Sequence, residues 1–261
     1  MRASLLGLIA ATVLGALALS PVAKAGPFEG PEFDKAMTRW IENNPEIVLK
    51  AINSYVERQK DAEAKQADDV VLKLASELSD PGKWTPILGS KSGKIVLIEV
   101  IDANCVFCRR MEPDMHKVIA DNPDLRVIRR YVPFLSPSSE YAARMASLVW
   151  RRHEGRYADF DKALMAEKTN LSTDSVDRIV GTVLGSEAVM VLKSELASGL
   201  VRQELDEHIS TALELTHRAK INGTPFTMIV GAGRDGLFRG AVPAPRLQAA
   251  IDKARAANAS K

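Results

Sequence analysis

From Lys94 to Asp102 the chain reads KIVLIEVID, a continuous apolar run rich in β-branched residues. Such a run predicts a strand buried on both faces, and a single carboxylate, Glu99, interrupts it. Leu125 to Val132 (LRVIRRYV) predicts a second strand, and the residues from the cysteines to about Asp121 read as a helix between the two. Strand, helix and strand make a βαβ unit with parallel strands. Trp84 to Leu88 is a candidate short edge strand ahead of it. From Ser136 to about Ile221 the signals are helical only. Serine caps precede EYAARMASLVWRR, Asn170, Ser172 and Thr173 offer a second start, and Gly185 and Gly199 mark breaks. Phe226 to Val230 returns to strand, GAGRDG turns, Leu237 to Gly240 forms a partner strand, and Val242 to Asn258 closes the chain as a helix. GAGRDG has dinucleotide-loop spacing, but that motif must open a helix; between two strands it reads as a hairpin loop.

Ahead of the sheet, Pro31 to about Ser79 reads as helix throughout. Asn44-Pro45-Glu46 is a start signal: a cap, a proline at the first helical position and an acid in the first turn. Apolar residues recur at Val48, Ile52, Tyr55 and Val56, and again at Val71, Leu74, Ala75 and Leu78, around a charged stretch, ERQKDAEAKQADD. The apolar stripe is too thin to make a core alone, so it must meet a partner chain or fold back on its own domain. A homo-oligomer is expected. Ser79-Asp80-Pro81-Gly82 ends the arm.

The first residues, MRASLLGLIAATVLGALALSPVAKA, change the picture of where the protein works. One cation, an apolar run and a small-residue ending at Ala25 form the pattern of a secretory signal peptide over residues 1–25. The arm then spans 26–80 and the main domain 81–261. Removing residues 1–25 takes away Arg2 and Lys24 and leaves Lys and Arg equal in number to the 33 Asp and Glu. A near-neutral mature chain has no global field for nucleic acid. Export places its two cysteines, Cys105 and Cys108, in an oxidising space.

Those cysteines stand in DANCVFC, directly after the buried strand. A disulfide between them closes a very small loop, so a structural staple there removes little chain entropy. A closed zinc site wants four ligands, and there is no second cysteine pair; none of His116, His153, His208 and His217 has ligand spacing to another. No resident metal or other cofactor is expected, although a two-thiolate copper(I) site is chemically open. Redox chemistry fits the position best. Cys105 at a helix N-terminus is favoured as thiolate, whereas Cys108, one turn inward, is covered. Disulfide exchange needs such an exposed nucleophile and buried resolving thiol. Glu99, desolvated in its strand, would have a raised pKa and could accept and return the proton of Cys108. A proline at 225 donates no hydrogen bond, which leaves the Thr224 backbone free to pair with an extended client peptide.

Strand, Cys-x-x-Cys at a helix start, Pro113 five residues after the second cysteine and INGTPFTMIV (Ile221 to Val230) together resemble the thioredoxin fold. Glu99, six residues before Cys105, and the helical insertion over about 136–221 resemble the DsbA family of periplasmic thiol:disulfide oxidoreductases. The likeness is closest to members with an N-terminal oligomerising segment, the suppressor-of-copper-sensitivity protein C type. The resemblance implies a DsbA-like α/β thioredoxin fold behind a helical arm, with Cys105 and Cys108 as the redox-active disulfide, Glu99 as buried acid, and Thr224 with a cis Pro225 as the peptide-binding loop. It implies a periplasmic isomerase or reductase of misfolded, cysteine-containing exported proteins, served by a membrane redox partner. Val106-Phe107 lacks the proline and histidine of strongly oxidising DsbA proteins. The alternatives are a DsbA-type dithiol oxidase, and a copper(I)- or client-binding module in which redox chemistry is incidental.

Overall fold

The computed structural model describes residues 28–260; the segment read as a signal peptide lies outside them. The chain divides into two compact units between Gln59 and Lys60. In the first unit, α1 (Pro31–Asn43) ends at Asn44 and α2 (Pro45–Lys73) begins. Apolar side chains here lie open, among them Trp40, Leu49, Ile52 and Tyr55. The helix predicted as continuous to Ser79 is thus interrupted at Asn44, and again at Leu74 before α3 (Ala75–Ser79).

The second unit contains a five-stranded mixed sheet in the order β1-β3-β2-β4-β5. Its elements follow the predicted sequence: β1 (Ile87–Gly89), β2 (Ile95–Ile101), α4 (Val106–Asp121), β3 (Leu125–Tyr131), the helical insertion, β4 (Phe226–Ile229), β5 (Leu237–Arg239) and α10 (Ala244–Ala259). β2 and β3 are parallel; β1, β4 and β5 pair antiparallel with their neighbours. The insertion is α5 (Pro137–Arg152), α6 (Glu154–Met165), α7 (Thr173–Leu184), α8 (Ser186–Ala197) and α9 (Gly199–Arg218). Its starts use the predicted serines: Ser136 accepts from the Ser139 N–H, and Ser172 forms a capping box with Ser175. GAGRDG is the β4–β5 connection, with a 3₁₀ turn over Gly233–Gly236. Gly236 is needed there because a Cβ would stand 2.7 Å from the Ile229 carbonyl oxygen.

Both faces of the sheet are dry. Leu97, Ile101, Val127 and Tyr131 face α4, α10 and the insertion. Ile98, Val100 and Ile128 face the opposite way, where Val71 and Leu78 join Leu215 and Ile221 in a second core. The last part of the helical arm is therefore a cover for the sheet. It is held further by ion pairs Asp68–Arg239, Asp69–Arg234 and Glu77–Arg218. Among the described residues no helix is long and apolar enough to cross a membrane.

Candidate redox site

Cys105 is the N-cap of α4, with extended backbone, and Cys108 lies one turn inside the helix. The turn that delivers them is tied on every side. The Cys105 N–H donates to the Asp102 carbonyl at 2.9 Å. The buried Asp102 carboxylate accepts from the N–H of Asn104 at 2.7 Å and of Leu135 at 3.0 Å. The Asn104 side chain reaches the hydroxyls of Ser136, Ser138 and Ser139 and accepts from the Leu171 N–H at 2.7 Å. Arg109 donates to the carbonyls of Ala103, Glu167 and Thr169. The helical insertion thus fixes the cysteine turn through polar contacts whose groups would be costly to leave unpaired.

Neither cysteine is in a disulfide, and both are buried: Cys108 fully, and Cys105 to 6% exposure, so the nucleophile expected to be exposed is largely covered. Their acidities are pushed apart. The hydrogen bond with the Cys108 side chain lowers Cys105 to about 5, burial works against it, and the Thr224 side chain and the N–H groups of Cys108 and Phe107 add to the lowering. Burial first, and then the hydrogen bond to Cys105, pushes the Cys108 thiol up. One sulfur is a ready thiolate at neutral pH; the other gives up its proton only with help.

Facing the pair is the Thr224–Pro225 peptide, which is cis. The Cys105 thiol donates to the Thr224 carbonyl at 3.3 Å. A groove of about 250 Å³ beside it is lined by Ile221, Thr224, Phe226 and Arg239 among others. Val106 and Phe107, between the cysteines, and Phe134 and Leu135, after β3, are exposed apolar side chains.

Glu99 is 1% exposed, on the sheet face that α4 covers. It does not bond to Cys108; its Oε2 accepts from Arg129 Nε at 2.9 Å. Arg129 also donates to both oxygens of Glu112 at 3.0 Å and to Asp161 Oδ2. Asp161 Oδ1 accepts from Tyr131 at 2.6 Å and Tyr157 at 3.0 Å. Directly across the sheet from Glu99 stands Thr227, fully buried, whose hydroxyl has no protein partner. Burial raises Glu99 to about 7; Arg129 opposes this, and the charges of Glu112 and Asp161 support it. Among the described residues no group of three or more His, Cys, Asp or Glu is arranged to hold a metal ion.

A family model described as thioredoxin matches residues 83–253, which takes in both cysteines, Glu99 and the Thr224–Pro225 loop. The chain belongs to the thioredoxin family. Within this family of thiol–disulfide exchange proteins it is DsbA-like and close to ScsC. Three solved structures carry the likeness. ScsC of Proteus mirabilis in a transitional conformation is 26% identical with a TM-score of 0.62, over 86% of this chain and 96% of that one. A periplasmic thioredoxin-like protein of Salmonella enterica serovar Typhimurium is 28% identical with a TM-score of 0.57, over 70% and 97%. A thioredoxin-like oxidoreductase from Silicibacter pomeroyi DSS-3 is 30% identical with a TM-score of 0.58, over 69% and 95%. A search of curated proteins finds no match.

The thioredoxin fold brings Cys105, Cys108 and Thr224 within bonding reach of one another, and sets Glu99 in the layer beneath α4. Sequence reasoning missed Asn104, Arg109, Arg129 and Asp161. The guanidinium of Arg109 is occupied by backbone carbonyls. Arg129 had a signal: it falls midway along a predicted buried strand, as Glu99 does in the neighbouring one. Asn104 had none beyond standing next to Cys105.

Proposed function

We propose that this protein is an exported, homo-oligomeric thiol–disulfide oxidoreductase that isomerises or reduces disulfides in misfolded periplasmic proteins. The observation that carries the proposal is the split pair of thiols, Cys105 lowered to about 5 and Cys108 raised by burial. The Cys105 thiolate attacks a client disulfide, forms a mixed disulfide and releases one client thiolate. If a client thiolate then attacks the client sulfur of that bond, Cys105 leaves as thiolate and the client is isomerised. If Cys108 resolves it, its proton passes to ionised Glu99, and its sulfur attacks Cys105 Sγ. The Cys105–client bond breaks with its electron pair on the client sulfur, which takes a proton from solvent. The enzyme pair is then oxidised and the client disulfide reduced, so a membrane reductant must restore the dithiol. Thr224 holds the client backbone, and the exposed apolar side chains of Val106, Phe107, Phe134 and Leu135 favour unfolded, apolar segments.

A second copy of the chain is the partner that suits the open apolar side chains of residues 28–59. Several thiol sites would then share one client. The test is reactivation of a scrambled-disulfide protein in a glutathione buffer, comparing the mature chain with a truncation that begins at Lys60. A start near Pro81 would strip Val71 and Leu78 from the core and confound the result. Reactivation by the mature chain alone supports an oligomeric isomerase. Loss of all exchange in Cys105→Ser is required, and its absence would overturn the mechanism.

A second reading, a dithiol oxidase, is favoured by the acidity of Cys105. A stable thiolate makes the corresponding disulfide more oxidising, and about 5 lies between thioredoxin-like and strongly oxidising centres. Fast oxidation of a reduced client without reactivation of the scrambled one selects this reading.

A further inference from the structure

Three carboxyl groups, Glu99, Glu112 and Asp161, surround one guanidinium, Arg129, and all four residues are buried. Three ionised carboxylates against one cation leave an uncompensated double negative charge in a dry interior, which is costly, so the cluster holds a proton to a higher pH than a free carboxyl would. The donors decide where. Asp161 accepts from Arg129 on one oxygen and from two hydroxyls, Tyr131 and Tyr157, on the other. Both hydroxyls remain donors, because burial and then the charge of Asp161 raise them well above their ordinary range. Glu112 has both oxygens on Arg129. Glu99 has only Oε2 engaged, by Arg129. Glu99 is therefore the carboxyl that binds this proton as pH falls, and above about 7 it is ionised and able to accept one from Cys108.

Other groups face the cluster from the surrounding elements. β4 contributes the uncharged Thr227. From α4 come Cys108 and the half-buried His116, whose Nε2 stands 3.2 Å from Glu112 Oε1 without hydrogen-bond alignment. Glu99, Glu112 and Arg129 come from the sheet and α4, whose helix carries the cysteines. Asp161 alone among the carboxyls comes from the insertion, on α6.

We propose that Asp161 is a positioning residue of the redox centre: its carboxylate, brought in by the docked insertion, biases Glu99 toward its protonated form and so sets the pH range in which Glu99 can take the Cys108 proton. The proposal rests on the reading of Glu99 as proton relay. It gives the insertion a chemical task besides covering the sheet. Asp161 touches neither cysteine nor client and acts only through the charge it adds beside Arg129.

Two quantities test it in the mature protein. The first is the titration midpoint of the Glu99 carboxyl, followed by NMR of ¹³C-labelled glutamate and assigned by the signal lost in Glu99→Gln. The second is the pH profile, over about pH 4.5 to 8.5, of release of a labelled peptide from its mixed disulfide with Cys105. Asp161→Asn removes a like charge, so the Glu99 midpoint and the acid limb of the release profile should both fall by about one pH unit. Glu99→Gln should abolish that limb. An unmoved Glu99 midpoint in Asp161→Asn, with the limb lost in Glu99→Gln, overturns the role of Asp161 and leaves the relay standing. A limb that persists in Glu99→Gln overturns the relay and this proposal with it. If Asp161→Asn does not fold, Asp161→Ala combined with Tyr131→Phe and Tyr157→Phe removes the charge together with the two hydroxyls that would be left unpaired. The midpoint should again fall by about one pH unit, and no movement overturns the proposal equally.

Discussion

Arg129 and Arg130 are neighbours on β3, and the pleat sends them to opposite faces of the sheet. Both are buried, yet they meet different partners. Arg129 faces three carboxyl groups and two tyrosines beneath the cysteine helix. Arg130 faces backbone oxygens at the end of α3: the Leu78 carbonyl at 2.9 Å, together with those of Glu77 and Asp80. A carbonyl cannot gain or lose a proton; a titratable neighbour of Arg130 on this face is His208, which burial and then the charge of Arg130 hold down to about 4. The first face has several sites for its protons, one of them, Glu112, on the helix that carries the cysteines. The same residue type thus serves a structural clamp on one side and a charge-adjustable layer on the other, and the difference lies wholly in the acceptors.

Replacing each arginine by methionine should break the comparison most sharply. Arg129→Met leaves buried carboxyls with no cation and should destabilise the domain by about 3–5 kcal/mol at neutral pH. The loss should shrink toward pH 4, where Glu99, raised by burial, is protonated and less negative charge is left without its cation. Arg130→Met gives up hydrogen bonds to neutral carbonyls and costs about 1–3 kcal/mol, with a smaller pH response than Arg129→Met, set by the lifting of its charge from His208. Urea midpoints at pH 4 and pH 7.5 decide. An equal pH response of the two variants would mean that the faces do not differ as described.

The next effect is the stability slope of Glu99 itself. Its carboxyl is raised from 4.5 to about 7, chiefly by burial. Between those values the folded protein holds a proton that the unfolded chain has released, so stability is full below about 4.5 and declines as pH rises to about 7. The whole decline is on the order of 3 kcal/mol. Cys105 runs the other way in the reduced protein: lowered to about 5, it adds stability as pH rises from there toward 9. The two slopes should therefore be separated. Buried His208, lowered to about 4, raises stability over the same window. The decline due to Glu99 is therefore read as the difference between Cys105→Ser and Cys105→Ser with Glu99→Gln, which should be on the order of 3 kcal/mol between pH 4.5 and 7.

What could be read from the sequence follows from how local each signal is. KIVLIEVID, the cysteines at a helix start and Thr224-Pro225 are short runs whose pattern alone fixes their element, and they assemble as expected. The charge layer was only half legible. Glu99 was conspicuous because its strand is otherwise apolar, but its partner Asp161 lies 32 residues beyond Arg129 on an amphipathic helix, where an acid looks solvated. Burial of such an acid is decided by tertiary packing. The helical arm shows the same limit. Ile52 and Val71 belong to one apolar stripe in sequence, yet the first is exposed within its unit and the second is fully covered by the sheet. Periodicity identifies a face and not what covers it.

The smallest effect concerns how the second face is reinforced at the surface. Arg218 grips both oxygens of Glu77 at 2.9 and 3.0 Å, but each side chain is about half exposed. Water and salt screen such a pair, and the clamp of Arg130 on the adjacent carbonyls does not depend on it. Glu77→Ala should change stability by less than about 1 kcal/mol, the change should vanish near 1 M salt, and disulfide exchange should keep its rate and pH profile. A shifted pH profile would show that charge on the second face reaches the cysteines through the sheet. The two faces would then have to be treated as one electrostatic unit, and the contrast between Arg129 and Arg130 as one of degree.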